Sequence, residues 1–221
     1  MRFDILTIFP KVIEPYFMES LFARAQKKGI LTVRAHDLRA FTKSRHKKVD
    51  DRPFGGGPGM VLQIEPIYRA VQFVESKIKN KKAKIRTILF STRGKKLDAK
   101  TAKRLAKYDQ IILICGRYEG VDERVAAHIA DEEISIGEYV LSGGELPALV
   151  LAEAVSRFIP GFLGTHESLE EIKGFYPVYT RPASLRLGKK TRPLNVPPAL
   201  LSGNHRLIEI WRRTHGALHK K

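Results

Sequence analysis

The run Ile111-Ile112-Leu113-Ile114-Cys115 constrains the fold most, because it is apolar without alternation and ends at a glycine-rich turn. A strand with one face in water alternates apolar and polar residues; an uninterrupted apolar strand is covered on both faces, as in a parallel sheet sandwiched by helices. Ile85 to Phe90 reads the same way. Short apolar runs near 3–8, 30–36, 84–91, 110–115 and 132–136 alternate with amphipathic patterns near 12–28, 65–79, 98–108, 121–130 and 145–159. That succession predicts an α/β fold with a parallel sheet covered by helices.

The pattern at 145–159 is apolar nearly all round, from Leu146 through Ala148, Leu149, Val150 and Leu151 to Val155. Such a helix is expected to be buried on several sides, in the core or against a second subunit. After Pro160 come repeated Gly and Pro, dense charge and little periodicity, read as a linker followed by a small helical end piece whose last helix runs from about 203 to 218.

The ligand-binding signals lie in the second half of the sheet. Gly116-Arg117-Tyr118-Glu119-Gly120 follows one strand, and Ser135 to Pro147 interrupts apolar residues with Gly137, Gly143 and Gly144 just before a helix. Glycine lets backbone N–H and C=O groups approach a ligand closely, so two such loops imply one site. The fingerprint of a standard dinucleotide fold would follow the first strand directly, but Phe9-Pro10 stands there and glycine is absent until Gly29. A Walker-type Gly-Lys-Ser/Thr is also missing, as is any His/Cys cluster with metal spacing; no metal site is expected.

Charge narrows the partner. Against 23 Asp and Glu stand 40 Lys and Arg, a net charge of +17 and a pI near 10.1. The basic residues gather at 43–48, 77–86, 93–107, 181–192 and from Arg206 onward, which favours a polyanion, nucleic acid first. No stretch approaches the roughly 20 apolar residues of a membrane span, and the N-terminus reads as a strand; a cytoplasmic protein without a membrane partner is expected. The single cysteine, Cys115, reads as a small buried residue.

Several long motifs then resemble one family in the right order. They are Asp50-Asp51-Arg52-Pro53-Phe54-Gly55-Gly56-Gly57-Pro58-Gly59-Met60, Cys115 to Arg124, Ser135 to Pro147, Ser156 to Gly161, Tyr179-Thr180-Arg181-Pro182 and Leu200 to His205. By these the chain is similar to the bacterial tRNA (guanine-N1)-methyltransferases, the TrmD family of the SPOUT superfamily. The resemblance implies S-adenosylmethionine as methyl donor and N1 of guanosine 37 in tRNA, beside the anticodon and after another guanosine, as acceptor. It also implies a deep trefoil knot forming the cofactor pocket, an obligate homodimer with composite active sites, and a divalent-ion (Mg2+) requirement. The corresponding domains are 1–160 for the knotted cofactor-binding domain, 161–181 for a flexible linker carrying the catalytic carboxylate, and 182–221 for a small, shortened helical tRNA-binding domain.

Carried over residue by residue, the resemblance assigns the cofactor pocket to Ser91, Gly116, Tyr118, Glu119, Ser135, Ile136, Gly137, Glu138, Tyr139, Val140, Leu141, Gly143, Gly144 and Pro147. Asp51 and Arg52 match the RNA-facing loop, and Arg157 matches the family arginine. The chemistry needs such a set: N1 of guanine is protonated at neutral pH, so attack on a methyl group requires a base at N1 and positive charge near O6. The family's base is an aspartate in Asp-Ser-Phe; spacing back from Tyr179 puts Glu167-Ser168-Leu169 there, with Glu170 and Glu171 as alternatives. Position 93 also departs, carrying Arg93 in place of the family's usual glutamine. The chain stops soon after Trp211-Arg212-Arg213; a shortened end domain is expected to grip tRNA less tightly, and the basic run 187–192 to compensate. Two other readings stand beside this one: a non-catalytic tRNA-binding SPOUT protein, motivated by Glu167, and a SPOUT methyltransferase with another RNA target.

Overall fold

The computed structural model describes residues 1–78, 80–164, 174–188 and 191–216. The chain divides into two compact units, Met1–Gly164 and Thr165–Lys221. In the first, five strands form one sheet in the order β2-β1-β6-β5-β7: β1 (Arg2–Thr7), β2 (Thr32–Asp37), β5 (Ile85–Lys96), β6 (Gln110–Ile114) and β7 (Glu132–Ser135). Every pairing in it is parallel. A separate antiparallel pair, β3 (Asp50–Asp51) and β4 (Val61–Leu62), carries the glycine-rich segment between its strands.

The apolar run in β6 explains itself in three dimensions. Ile111, Leu113 and Cys115 point to one face, into a core with Phe3, Ile5, α1 (Pro10–Phe17), α2 (Ser20–Lys27), α4 (Ala99–Leu105) and α6 (Glu145–Ser156). Ile112 and Ile114 point to the other, into a core with Leu6, Leu89, α3 (Ile64–Ser76) and Val125 of α5 (Glu123–His128). Asp4 on β1 is fully buried, and there it accepts hydrogen bonds from Arg2 and Gln110 at 2.6 Å each and pairs with His36 at 2.7 Å.

Three expectations change in detail. The pattern at 12–28 is two helices rather than one. Helix α1 ends at Phe17, and α2 begins at Ser20, whose φ of 51° marks the turn between them. Strand β5 runs on to Lys96: both Phe90 and Lys95 pair with Ile134, so Ser91–Gly94 arches out of the ladder. Helix α6 buries Ala148, Leu151 and Val155 but leaves Leu146 and Val150 about half exposed, at 54% and 45%.

In the second unit the described residues form α7 (Pro198–Leu201), α8 (His205–His215) and an antiparallel pair, β8 (Ser184–Leu185) with β9 (Leu194–Asn195), that the helical expectation omitted. The last helix begins at His205 because Asn204 caps it, accepting from the amides of Arg206 and Leu207 at 3.0 and 3.3 Å. Trp211 stacks on His215 and meets the edge of Tyr179.

Candidate active site

The parallel strands β5, β6 and β7 end on one edge, and a cavity of about 480 Å³ opens there, lined by the segments that leave them. Ligands of open α/β sheets bind outside the carboxyl ends of the strands, which is where these loops lie. Ser91, Gly116, Tyr118, Glu119, Ser135, Ile136, Gly137, Tyr139, Val140, Leu141, Gly143, Gly144 and Pro147 all border the cavity. Glu138 does not line it; its carboxylate instead pairs with Lys96 on β5.

The two glycine loops are joined to each other. The amide of Gly144 donates to the carbonyl of Gly116 at 2.9 Å, and Arg117 forms an antiparallel bridge with Gly143. A Cβ at Gly144 would stand 2.6 Å from Cys115 Cα, and one at Gly143 would stand 2.3 Å from the Arg117 Nε. At Gly144 the neighbour is backbone, and only glycine fits so close an approach of two chains. Within the second loop, the Ser135 hydroxyl donates to the Gly137 carbonyl at 2.9 Å and accepts from its amide at 3.2 Å. Tyr118 holds φ 60°, a left-handed conformation uncommon outside glycine, with its ring half exposed at the cavity.

A buried carboxylate fixes this junction from below, and sequence reasoning missed it. Glu145, the first residue of α6, is 1% exposed. It accepts from the Thr7 hydroxyl at 2.6 Å and from Arg117 Nε at 2.9 Å. The guanidinium of Arg117 also lies over the Phe9 ring, 4.7 Å from its centroid. Thr7, Arg117 and Glu145 thus tie the end of β1 to both loops, across 138 and 28 residues of sequence. Beneath them, burial, reinforced by the negative charge of Glu145, pushes the Cys115 thiol well above its ordinary pKa, so it stays protonated and unreactive.

Three acidic groups, Glu119, Glu123 and Glu133, and the basic Arg93 stand at the rim. Glu119 packs against Gly59, whose added Cβ would meet its side chain at 2.5 Å, and its amide donates to Met60 at 3.0 Å. Glu133, also unforeseen, borders the cavity and has a buried oxygen, Oε2, with no hydrogen-bond partner among the described residues. Arg93, on the arch of β5, donates to Glu123 at 2.7 Å across residues that both line the cavity; that bond and the charge of Glu123 raise its pKa further.

The remaining predicted residues lie elsewhere. Asp51 and Arg52 sit at the end of β3, away from the cavity lining. The Asp51 carboxylate accepts from the Arg52 amide at 2.9 Å and pairs with Lys48 at 3.1 Å; these bonds, the backbone one first, hold its pKa below the usual carboxylate value. Arg157 is half-buried and caps the C-terminus of α6, its amide donating to Glu153 at 3.3 Å. Glu167, Glu170 and Glu171 lie outside the described residues.

Parallel strands with glycine loops closing a cavity at their carboxyl edge define an α/β enzyme with a small-molecule site. Comparison with known proteins specifies it: residues 1–221 match the tRNA (guanine-1)-methyltransferase family, TrmD. The tRNA (guanine-N(1)-)-methyltransferase of Ruminiclostridium cellulolyticum is 46% identical over 217 residues, covering 96% of this chain and 89% of the relative. That of Persephonella marina is 47% identical over 220 residues, covering 96% and 82%. The crystal structure of a tRNA (m1G37) methyltransferase from Aquifex aeolicus superposes with a TM-score of 0.80 at 44% identity, covering 97% of this chain and 88% of that one. The chain belongs to the TrmD family of tRNA (guanine-N1)-methyltransferases.

Proposed function

We propose that the cavity at the ends of β5, β6 and β7 holds S-adenosylmethionine, and that this chain uses it to methylate N1 of guanosine 37 in tRNA. The observation that carries the reading is the fused pair of glycine loops around the cavity, in a chain whose whole length matches the family. The residues fit the group. A cavity of about 480 Å³ falls within the range for cofactor-sized ligands. The Glu133 oxygen, 3.8 Å from the Arg93 guanidinium but without a hydrogen bond among the described residues, offers an acceptor to a ligand donor, Glu119 a negative charge to a cationic one, and the Gly116 and Gly137–Gly144 segments offer backbone groups. When bound, the donor supplies an electrophilic methyl group on a positively charged sulfur.

The protein must supply the rest. A carboxylate, read as Glu167, would accept the N1 proton, freeing the N1 electron pair to take the methyl group that a bound donor would supply. Negative charge that grows on O6 is offset by a guanidinium, read as Arg157. Asp51, Arg52 and the basic segments are read as facing tRNA, whose phosphates match the net charge of +17. Among the described residues no three His, Cys, Asp or Glu side chains are grouped to hold a metal ion.

The same reading takes the threading of 137–144 against 116–120 as the knot, supported by the close approach at Gly144, and two copies as the working unit. An exposed apolar strip on α1 and α6, with Val12, Tyr16, Leu146 and Val150 each about half exposed, supports that pairing. No helix among the described residues is long and apolar enough to cross a membrane, and a tRNA substrate suits the cytoplasm.

Methyl transfer from labelled S-adenosylmethionine to a tRNA with guanosines at 36 and 37 tests the assignment. The parent should be active, and Glu167→Gln and Arg157→Ala should each lose at least about a hundredfold. A parent that binds tRNA without transfer would favour the non-catalytic reading.

A further inference from the structure

Phe54 is the most exposed large apolar residue in the described chain, with a relative accessibility of 103%. It is held out, not left loose. The Gly56 amide donates to Pro53 at 3.3 Å and Gly55 has φ 84°, so Phe54 occupies the corner of a turn whose third residue needs a left-handed conformation. Gly56, Gly57 and Gly59 continue at φ 82°, 122° and 75°, and a Cβ at Gly55 or Gly56 would meet nothing within 4 Å. Gly55 and Gly56 therefore serve backbone course rather than packing, and the faces of the ring are left bare.

The arm is rooted on the cavity wall. Glu119 donates to Met60, Leu62 to Gly120 and Asp122 to Leu62, all at 3.0 Å, and Gly59 abuts the Glu119 side chain. Phe54 is five residues from Gly59, so it lies no more than about 18 Å from that rim. Beside it stands Arg52, whose guanidinium has no carboxylate within ion-pair distance among the described residues, since Asp51 is taken by Lys48.

We propose that Phe54 stacks on a base of the tRNA loop next to the methylated guanosine, with Arg52 on the flanking phosphate. This rests on the tRNA-methyltransferase reading above. A guanine drawn into a cavity leaves the face of its neighbour uncovered, and proteins cover such faces with aromatic rings. An apolar ring next to an unpaired guanidinium, on a surface of net charge +17, matches a base and its phosphate better than an apolar protein surface.

The test follows tRNA binding and transfer separately. Phe54→Trp adds a fluorophore beside the single native Trp211; its added emission should be quenched by tRNA and not by donor alone. Phe54→Ala and Phe54→Leu should raise the KM for tRNA at least about fivefold, the low end for one stacked base. Phe54→Tyr should restore it, and the KM for S-adenosylmethionine should stay put. Unchanged tRNA affinity in Phe54→Ala, or Phe54→Leu matching the parent, would overturn the proposal; so would Trp emission that shifts with protein concentration and ignores tRNA, the mark of a subunit contact. Failure of the parent to transfer methyl would instead count against the enzyme reading, since quenching and affinity need no turnover.

Discussion

A methyl group added at Gly144 would stand 2.6 Å from the Cα of Cys115 and 3.0 Å from the amide nitrogen of Gly116. Backbone atoms of a buried strand end cannot retreat as a flexible side chain can, so the cost falls on the loop. Gly144→Ala should displace 137–144 from 116–120 while the sheet cores stay intact. We expect kcat/KM to fall by about 10²-fold, the loss that a misplacement near 1 Å brings, with an unchanged far-ultraviolet spectrum. Near-parent activity would mean that the junction does not shape the site. The sequence made this glycine visible as part of an interrupted motif. It could not show Thr7, Arg117 and Glu145 as one cluster, because their hydrogen bonds close across 138 and 28 residues and no local spacing encodes them. Glu133 escaped for a related reason: as one acid of a strand it looks like an edge charge, and only the fold shows its buried oxygen beside the cavity, 3.8 Å from Arg93 and without a hydrogen bond among the described residues.

Glu132 on β7 receives Arg86 of β5 at 2.9 Å and Arg104 of α4 at 2.7 Å, so a single carboxylate joins two strands and a helix. Burial alone would raise its pKa, but the two guanidinium bonds prevail and the value lies below the ordinary 4.5. A depressed carboxylate stabilises the fold above its unfolded pKa and stops doing so as the pH falls through the folded one. Glu132→Gln should therefore cost about 1–2 kcal/mol at pH 7, moderated because both guanidinia are partly in solvent, and the difference should close as the pH drops below 4.5. Urea unfolding of both proteins across that range measures it; a gap that persists at low pH would assign the effect to packing. The elements themselves were legible where burial on both faces removes alternation, as in β6. They were misread where a local break outweighed periodicity: the chain turns between Met18 and Ser20, separating α1 from α2, and the arch at Ser91–Gly94 lets β5 rejoin β7 beyond its apolar run. The pair β8 and β9 has two residues in each strand, too few to show any period.

At the scale of the molecule, +17 charges govern how the substrate is met. Binding of tRNA should weaken steeply with salt, with a log–log slope steeper than about −3 if four or more phosphates are engaged. A slope near zero, measured by filter binding across a salt series, would remove phosphate contacts as the source of affinity. The knot, the composite dimer and the base at Glu167 came from family resemblance rather than from periodicity, since threading and subunit pairing leave no local pattern in a chain. If this cavity serves methyl transfer to guanine N1 in tRNA, the position of the product shows it. Transcripts with guanosine or adenosine at position 37 would be incubated with isotopically labelled S-adenosylmethionine, digested and read by mass spectrometry. Labelled N1-methylguanosine is expected at position 37 of the first transcript and no label in the second. Label at another atom or position, or tRNA bound with no label transferred, would contradict it.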